Sequence, residues 1–182
     1  MVNIYKPKFS LLQQEILSYL MANTGKSFNA RGLAMPLNRT QAGIIKAIPE
    51  LEKSGLIKVE KDNDSGRWSI ELNRDNPKTV ELKRIENLKF VYESGIIHFL
   101  EENFPGTPII LFGSYSYGED TIRSDIDIAI IGCKEKQIEL GKFEKIFEKE
   151  IRINFYKDFG EINNNLKSNI FNGIVLAGRI GL

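Results

Sequence analysis

The chain has one cysteine, one histidine and one tryptophan in 182 residues. With Cys133 alone, no internal disulfide can form. With His98 alone, no multi-histidine zinc site can form. No apolar run approaches the ~18 residues that a membrane span needs. The opening residues, 1–14, lack the long apolar core of a secretory signal. These absences set the expectation of a cytoplasmic protein with no membrane partner. Glutamine is sparse beside abundant lysine, glutamate and isoleucine, which leans toward a heat-adapted composition.

What is present is ordinary for a globular protein: 42% apolar and 27% charged residues. The length suits one or two domains. The net charge of +1 hides an asymmetry. Residues 1–78 carry 12 Lys/Arg against 8 Asp/Glu, and residues 79–182 carry 13 against 16. No acid lies between Glu15 and Glu50, whereas Lys26, Arg31, Arg39 and Lys46 do. Opposite charge in the two halves implies two modules with different partners.

Ser10-Leu11-Leu12-Gln13 reads as a capping box opening a helix to about Met21. Asn29 caps a second helix, Ala30 to Leu37, which Pro36 tightens or ends. Thr40 caps a third, running to Ser54, in which Pro49 predicts a kink or weak last turns. Alternation over 56–60 and 67–72, with the turn 62–66 between them, predicts a hairpin. Trp68 reads as hairpin core. Residues 73–78 read as a linker. Helical spacing over 79–104 predicts one long helix, or two broken near Gly95. His98 in that apolar stretch reads as structural, and Cys133 as a small buried residue. Strands follow at 109–112, 125–131 and 151–156, with helices at 134–149 and 162–169. This is an α+β chain of two domains, 1–76 and 77–182, the second built on a small mixed sheet.

The chemistry concentrates in residues 109–131. A buried strand ends at Gly113-Ser114, where glycine permits close backbone approach. A hydroxyl and a helix start there suit a phosphate. Downstream, Ser124-Asp125-Ile126-Asp127 places two carboxylates on one side of a strand. Two such acids repel unless a cation lies between them. Mg²⁺ (or Mn²⁺) favours oxygen ligands together with substrate phosphates. Tyr115 and Tyr117 read as core packing ahead of base stacking.

Gly113-Ser114 and Ser124-Asp125-Ile126-Asp127, at this spacing, resemble the polymerase-beta-like nucleotidyltransferases, in particular their minimal prokaryotic branch. The resemblance spans about residues 90–178. It implies that Gly113, Ser114, Tyr117, Gly118, Arg123 and Ser124 line a nucleotide site, with ATP the expected triphosphate. It implies that Asp125 and Asp127 hold Mg²⁺. The family's arginine before the loop's second glycine is Tyr117 here, with Arg123 as a substitute of different spacing. The family's third carboxylate falls on Asn154, in Ile153-Asn154-Phe155, unless Asp158 or Glu161 reaches the site instead.

Residues 10–73 are similar to winged helix-turn-helix domains, notably in Leu51-Glu52-Lys53-Ser54-Gly55-Leu56-Ile57. That similarity implies double-stranded DNA as a partner, contacted by Arg39, Thr40, Gln41 and Lys46 from the third helix and by Lys61 and Arg67 on the wing. Three functions follow. The first is transfer of a nucleoside monophosphate to a hydroxyl of a small molecule or a toxin-like partner protein. The second is a DNA-binding regulator or antitoxin whose degenerate domain senses nucleotide. The third is a protein-interaction module. A homodimer is left open.

Overall fold

The computed structural model describes residues 8–61 and 68–181. The chain divides into two compact units, Met1–Thr79 and Val80–Leu182.

In the first unit each helix starts on the residue that caps it. Ser10 opens α1 (Leu11–Ala22) with a complete capping box, the Gln13 side chain accepting from the Ser10 amide at 2.8 Å. Asn29 caps α2 (Ala30–Ala34), accepting from the Gly32 amide at 2.8 Å. Thr40 caps α3 (Gln41–Lys53), accepting from the Gly43 amide at 3.1 Å. Helix α2 ends three residues before the expected Leu37. Pro36 has no N–H to continue the ladder, and the chain turns through Asn38 at φ 51°. Helix α3 instead runs past Pro49 to Lys53. Pro49 faces solvent, while Ile48 and Leu51 beside it are fully buried and hold the last turns in place.

Ile16, Leu20, Leu33, Ile44, Ile48 and Leu51 form this unit's core. The hairpin follows: β1 (Ile57–Lys61) pairs antiparallel with β2 (Trp68–Leu72), in register Ile57 to Leu72. Phe28 bridges Ile70, tying the segment before α2 to the hairpin. Trp68 is half-buried. The expected turn at 62–66 lies outside the described residues. Three helices followed by an antiparallel hairpin make this unit a winged helix-turn-helix.

Helix α4 (Pro77–Glu93) starts three residues before the second unit and leads to α5 (Ile96–Asn103), the two broken at Gly95, whose φ of 77° no right-handed helix accommodates. His98 is exposed and pairs with Glu102 at 3.2 Å, so it is a surface residue of α5 and not a core one. Next come β3 (Ile109–Phe112), α6 (Gly113–Tyr117), β4 (Ile126–Ile131), α7 (Gly141–Phe147), β5 (Ile151–Tyr156), α8 (Asn164–Phe171) and β6 (Ile174–Ala177). The sheet order is β5-β4-β3-β6. Strand β3 is antiparallel to β4 and β6, and β4 is parallel to β5. The sheet is therefore mixed.

Two expectations fail here. The helix expected over 134–149 is confined to α7. Ile138 and Leu140 pack on the core as an i, i+2 pair, a spacing no helix presents on one face. Strand β6 was not anticipated. It is four residues long and follows α8 almost directly, too short to show alternation.

One sheet face carries Ile109, Leu111, Ile126, Ile128, Ile130 and Ile151 against Val91, Leu100, Phe143 and Phe147. The other carries Ile110, Phe112, Ala129 and Ile131 against Ile162 and Ile170.

A buried charge cluster ties the segment after α6 to this frame. The Asp120 carboxylate, its side chain 2% exposed, pairs with Lys83 of α4 and, at 3.3 Å, with Lys149 ahead of β5. Asn87 donates to Asp120 at 2.7 Å and to the Tyr115 carbonyl at 2.9 Å. Lys149 also donates to the carbonyls of Thr121 and Ser124. Every member is thus satisfied within the unit. Removing the carboxylate strands two buried ammonium groups. Asp120→Ala is expected to cost about 3–5 kcal/mol in urea unfolding. A loss below about 1 kcal/mol, typical of an exposed pair, would show that the cluster is solvated.

Candidate functional site

Phe112 pairs with Asp127 across β3 and β4. The first residue beyond β3, Gly113, therefore lies beside the Asp127 carboxylate. Its φ is 73°, and a Cβ built there would stand 2.7 Å from Asp127 Oδ2. Glycine is required twice over, by conformation and by space. Ser114 follows, partly exposed. Helix α6 is five residues long, so its dipole adds little to anion binding.

Asp125 immediately precedes β4 and Asp127 lies in it, both partly exposed. Burial raises the Asp127 carboxyl above its ordinary value; the Asp125 charge adds to this and the Arg152 charge opposes it. Asp127 thus lies beside Gly113, while Asp125 pairs with Arg152 of the neighbouring strand.

The third position differs from expectation. In the parallel register of β4 and β5, Asp127 stands opposite Arg152, whereas Asn154 stands opposite Ala129. Two residues along a strand are roughly 6–7 Å, so Asn154 is displaced from the acid pair toward the far end of the strands. There it lines an open cleft of about 700 Å³ with Cys133, Lys134, Tyr156 and Glu161. The triplets Ile151-Arg152-Ile153 and Ile153-Asn154-Phe155 have the same apolar–polar–apolar pattern, and only strand register tells them apart. Asp158 and Glu161 do not substitute for it. They lie past the end of β5 and accept amides of the 157–161 turn at 2.7–3.2 Å.

Arg152 pairs with Asp125 and donates to Glu150 at 3.2 and 3.3 Å. The neighbouring acids hold its guanidinium pKa above the ordinary value, Glu150 through a hydrogen bond first of all and Asp125 by charge. Among the described residues no three His, Cys, Asp or Glu side chains are grouped to hold a metal ion. A third carboxylate is missing and one of the two acids is already paired with a cation. The donor set does not fit the Mg²⁺ or Mn²⁺ site that the motif implies.

The remaining nucleotide candidates divide. Tyr117 is half-buried, with the Arg84 guanidinium 6.0 Å from its ring centre. Arg84, unmarked by any motif, brings a cation beside the last residue of α6. Gly118 serves packing: a Cβ there would lie 2.5 Å from the Val80 carbonyl oxygen and 2.6 Å from the Arg84 amide. The Ser124 hydroxyl closes a turn, accepting from the Thr121 amide at 3.0 Å. Arg123 is exposed. Tyr115 is core, its hydroxyl pushed well above the ordinary range by burial.

In the first unit, Gln41 and Lys46 lie exposed on α3, and Lys61 is exposed at the end of β1. The Thr40 hydroxyl is engaged as a cap. Arg39 departs from expectation. It forms a two-pronged pair with Glu15 of α1, at 2.9 and 2.7 Å, so its charge is largely compensated. Arg67 lies outside the described residues.

Because the fold raises the Asp127 carboxyl, the folded chain holds that proton more tightly than the unfolded one. The ionised acid therefore costs stability at neutral pH, and the cost fades as pH falls through the raised value. Asp127→Asn is expected to melt above the wild type at pH 7 and to lose that advantage on acidification. Melting below the wild type at pH 7 contradicts a desolvated acid.

Among known proteins, residues 93–176 match the family described as nucleotidyltransferase domain. No curated protein sequence matches the chain. Similar solved structures include the adhesin competence repressor of Streptococcus pyogenes, at 23% identity and a TM-score of 0.42 over 56% of this chain and 71% of that one. They also include MepR, a transcription regulator of the Staphylococcus aureus efflux pump MepA, at 26% identity and a TM-score of 0.39 over 53% and 70%. A Lactococcus lactis ZitR variant overlaps at 20% identity and a TM-score of 0.41 over 56% and 66%. At such TM-scores the winged-helix assignment rests on element order and register, independently of these overlaps. In sequence, then, the winged-helix unit is followed by a segment, residues 93–176, that matches the nucleotidyltransferase domain family.

Proposed function

We propose that this protein is a DNA-binding regulator whose nucleotidyltransferase domain binds a nucleoside triphosphate without transferring it. The observation that carries this is Arg152, which stands opposite Asp127 in the sheet and pairs with Asp125, one of the two motif acids. Nucleotidyl transfer needs the attacking hydroxyl activated and the leaving pyrophosphate steadied. A guanidinium has no oxygen with which to accept the hydroxyl proton, and it already engages Asp125.

Binding is a lighter demand. Gly113 has no side chain to block a phosphate, the partly exposed Ser114 offers a hydroxyl, and Arg84 lies beside Tyr117 at the far end of α6. Labelled ATP is expected to be retained on the protein, while pyrophosphate release stays at the protein-free blank. Ser114→Ala should weaken retention about 10-fold or more, the scale of a hydrogen bond to a charged group. Pyrophosphate release that disappears in Asp127→Asn would overturn this and restore transfer to a hydroxyl, on a toxin-like partner or a small molecule.

For the first unit, the support is the exposed Gln41 and Lys46 on α3, Lys61 on the wing, and a net charge of +4 over residues 1–78. Few cations imply a shallow salt dependence. Lys46→Ala is expected to weaken duplex binding and to lower the salt slope by about 1. Arg39→Ala should change that slope less, because Glu15 already neutralises Arg39. Equal slopes for the two variants would place Arg39 on the duplex. No binding at low salt would leave this unit as a protein-interaction module.

A further inference from the structure

We infer that Arg152 is the resident cation of this domain: its guanidinium takes the charge-neutralising place of a divalent ion between Asp125 and Glu150, opposite Asp127. The inference deepens the nucleotide-site proposal and takes its location from it. Asp125 and Asp127 lie two residues apart on one side of β4, and Glu150 ends the segment just before β5. Asp125 and the exposed Glu150 both act by charge on the Asp127 carboxyl, and like charges call for compensation. Arg152 supplies it by pairing with Asp125 and Glu150, and its charge opposes the rise of the Asp127 carboxyl.

The placement follows from backbone register, because Arg152 is the strand partner of Asp127. A guanidinium is more weakly hydrated than a small ammonium and presents a planar fork that fits carboxylates. It also differs from a metal in what it can do. It neutralises the acids but leaves no open coordination position for a phosphate or an attacking hydroxyl. A divalent ion arriving at this site must displace it.

The test uses Mn²⁺ alone, without nucleotide, on the full chain. Binding is read by calorimetry and by loss of the free-ion paramagnetic resonance signal. The wild type is expected to bind weakly, and Arg152→Ala to bind at least about tenfold tighter once Asp125 is released. Arg152→Lys, which keeps the charge, should remain weak. Asp125→Asn added to Arg152→Ala should abolish the gain. The Arg152 side chain is 56% exposed, so its loss is not expected to unfold the domain. Should Arg152→Ala fail to fold, Arg152→Gln carries the same expectation.

Equal Mn²⁺ affinity in the wild type and the charge-removing variant overturns the inference, as does a gain that survives Asp125→Asn. ATP retention by the wild type, measured with and without a chelator, reports separately on the nucleotide-site proposal. Loss of ATP binding with a tenfold Mn²⁺ gain intact would reject that proposal and keep this one.

Discussion

The placement of Asp125 depends on one buried anion, Asp120. The segment from Gly118 to Ser124 has no regular structure of its own, and its conformation must come from outside it. Asp120 joins that segment to α4 through Lys83 and to the approach of β5 through Lys149. Lys149 then reaches back to the carbonyls of Thr121 and Ser124. Two cations on one anion, away from water, are tolerable only with full hydrogen bonding, and Asn87 and those carbonyls provide it. The cluster therefore works as a three-point brace. It sets where β4 begins, and hence where Asp125 leaves the backbone.

With that frame in place, electrostatics govern the site. Two half-buried acids at the glycine–serine corner would be mutually repulsive. Transfer enzymes of this type balance such acids with metal and gain chemistry in return. Here the neighbouring strand supplies a balancing charge covalently: Arg152 pairs with Asp125 and offsets part of the cost of ionised Asp127. The cost is an unavailable Asp125. Arg84 beside Tyr117 adds a further cation at the end of α6.

Much of this was legible in the sequence because it is local. Ser10, Asn29 and Thr40 announce their helices through side chains that satisfy amides three residues on. Gly113-Ser114 and the paired acids declare a corner of close approach. What stayed hidden is non-local. Arg152 and Asn154 occupy equivalent places in an alternating strand, and only the pairing of β5 with β4 selects Arg152. The Arg39–Glu15 pair joins two helices whose mutual packing no periodicity reveals, so Arg39 reads as a free basic residue until they meet. The buried cluster of Lys83, Asp120 and Lys149 spans 67 positions of chain, and in the sequence each member looks like an ordinary surface charge. The helix expected over 134–149 failed for the opposite reason. Local composition favours it, but Ile138 and Leu140 reach the core from a segment with no regular structure.

Gly113 carries a further lesson about motifs. Its left-handed backbone, with an Asp127 carboxylate oxygen 2.7 Å from where a Cβ would stand, disfavours any side chain, whatever the domain does chemically. A descendant of an active ancestor could lose every reactive step and still be obliged to keep glycine there, or the strand end and its acid would be forced apart. The signature by which such domains are recognised is thus partly a record of steric fit. Its survival testifies to the shape of the corner more directly than to turnover.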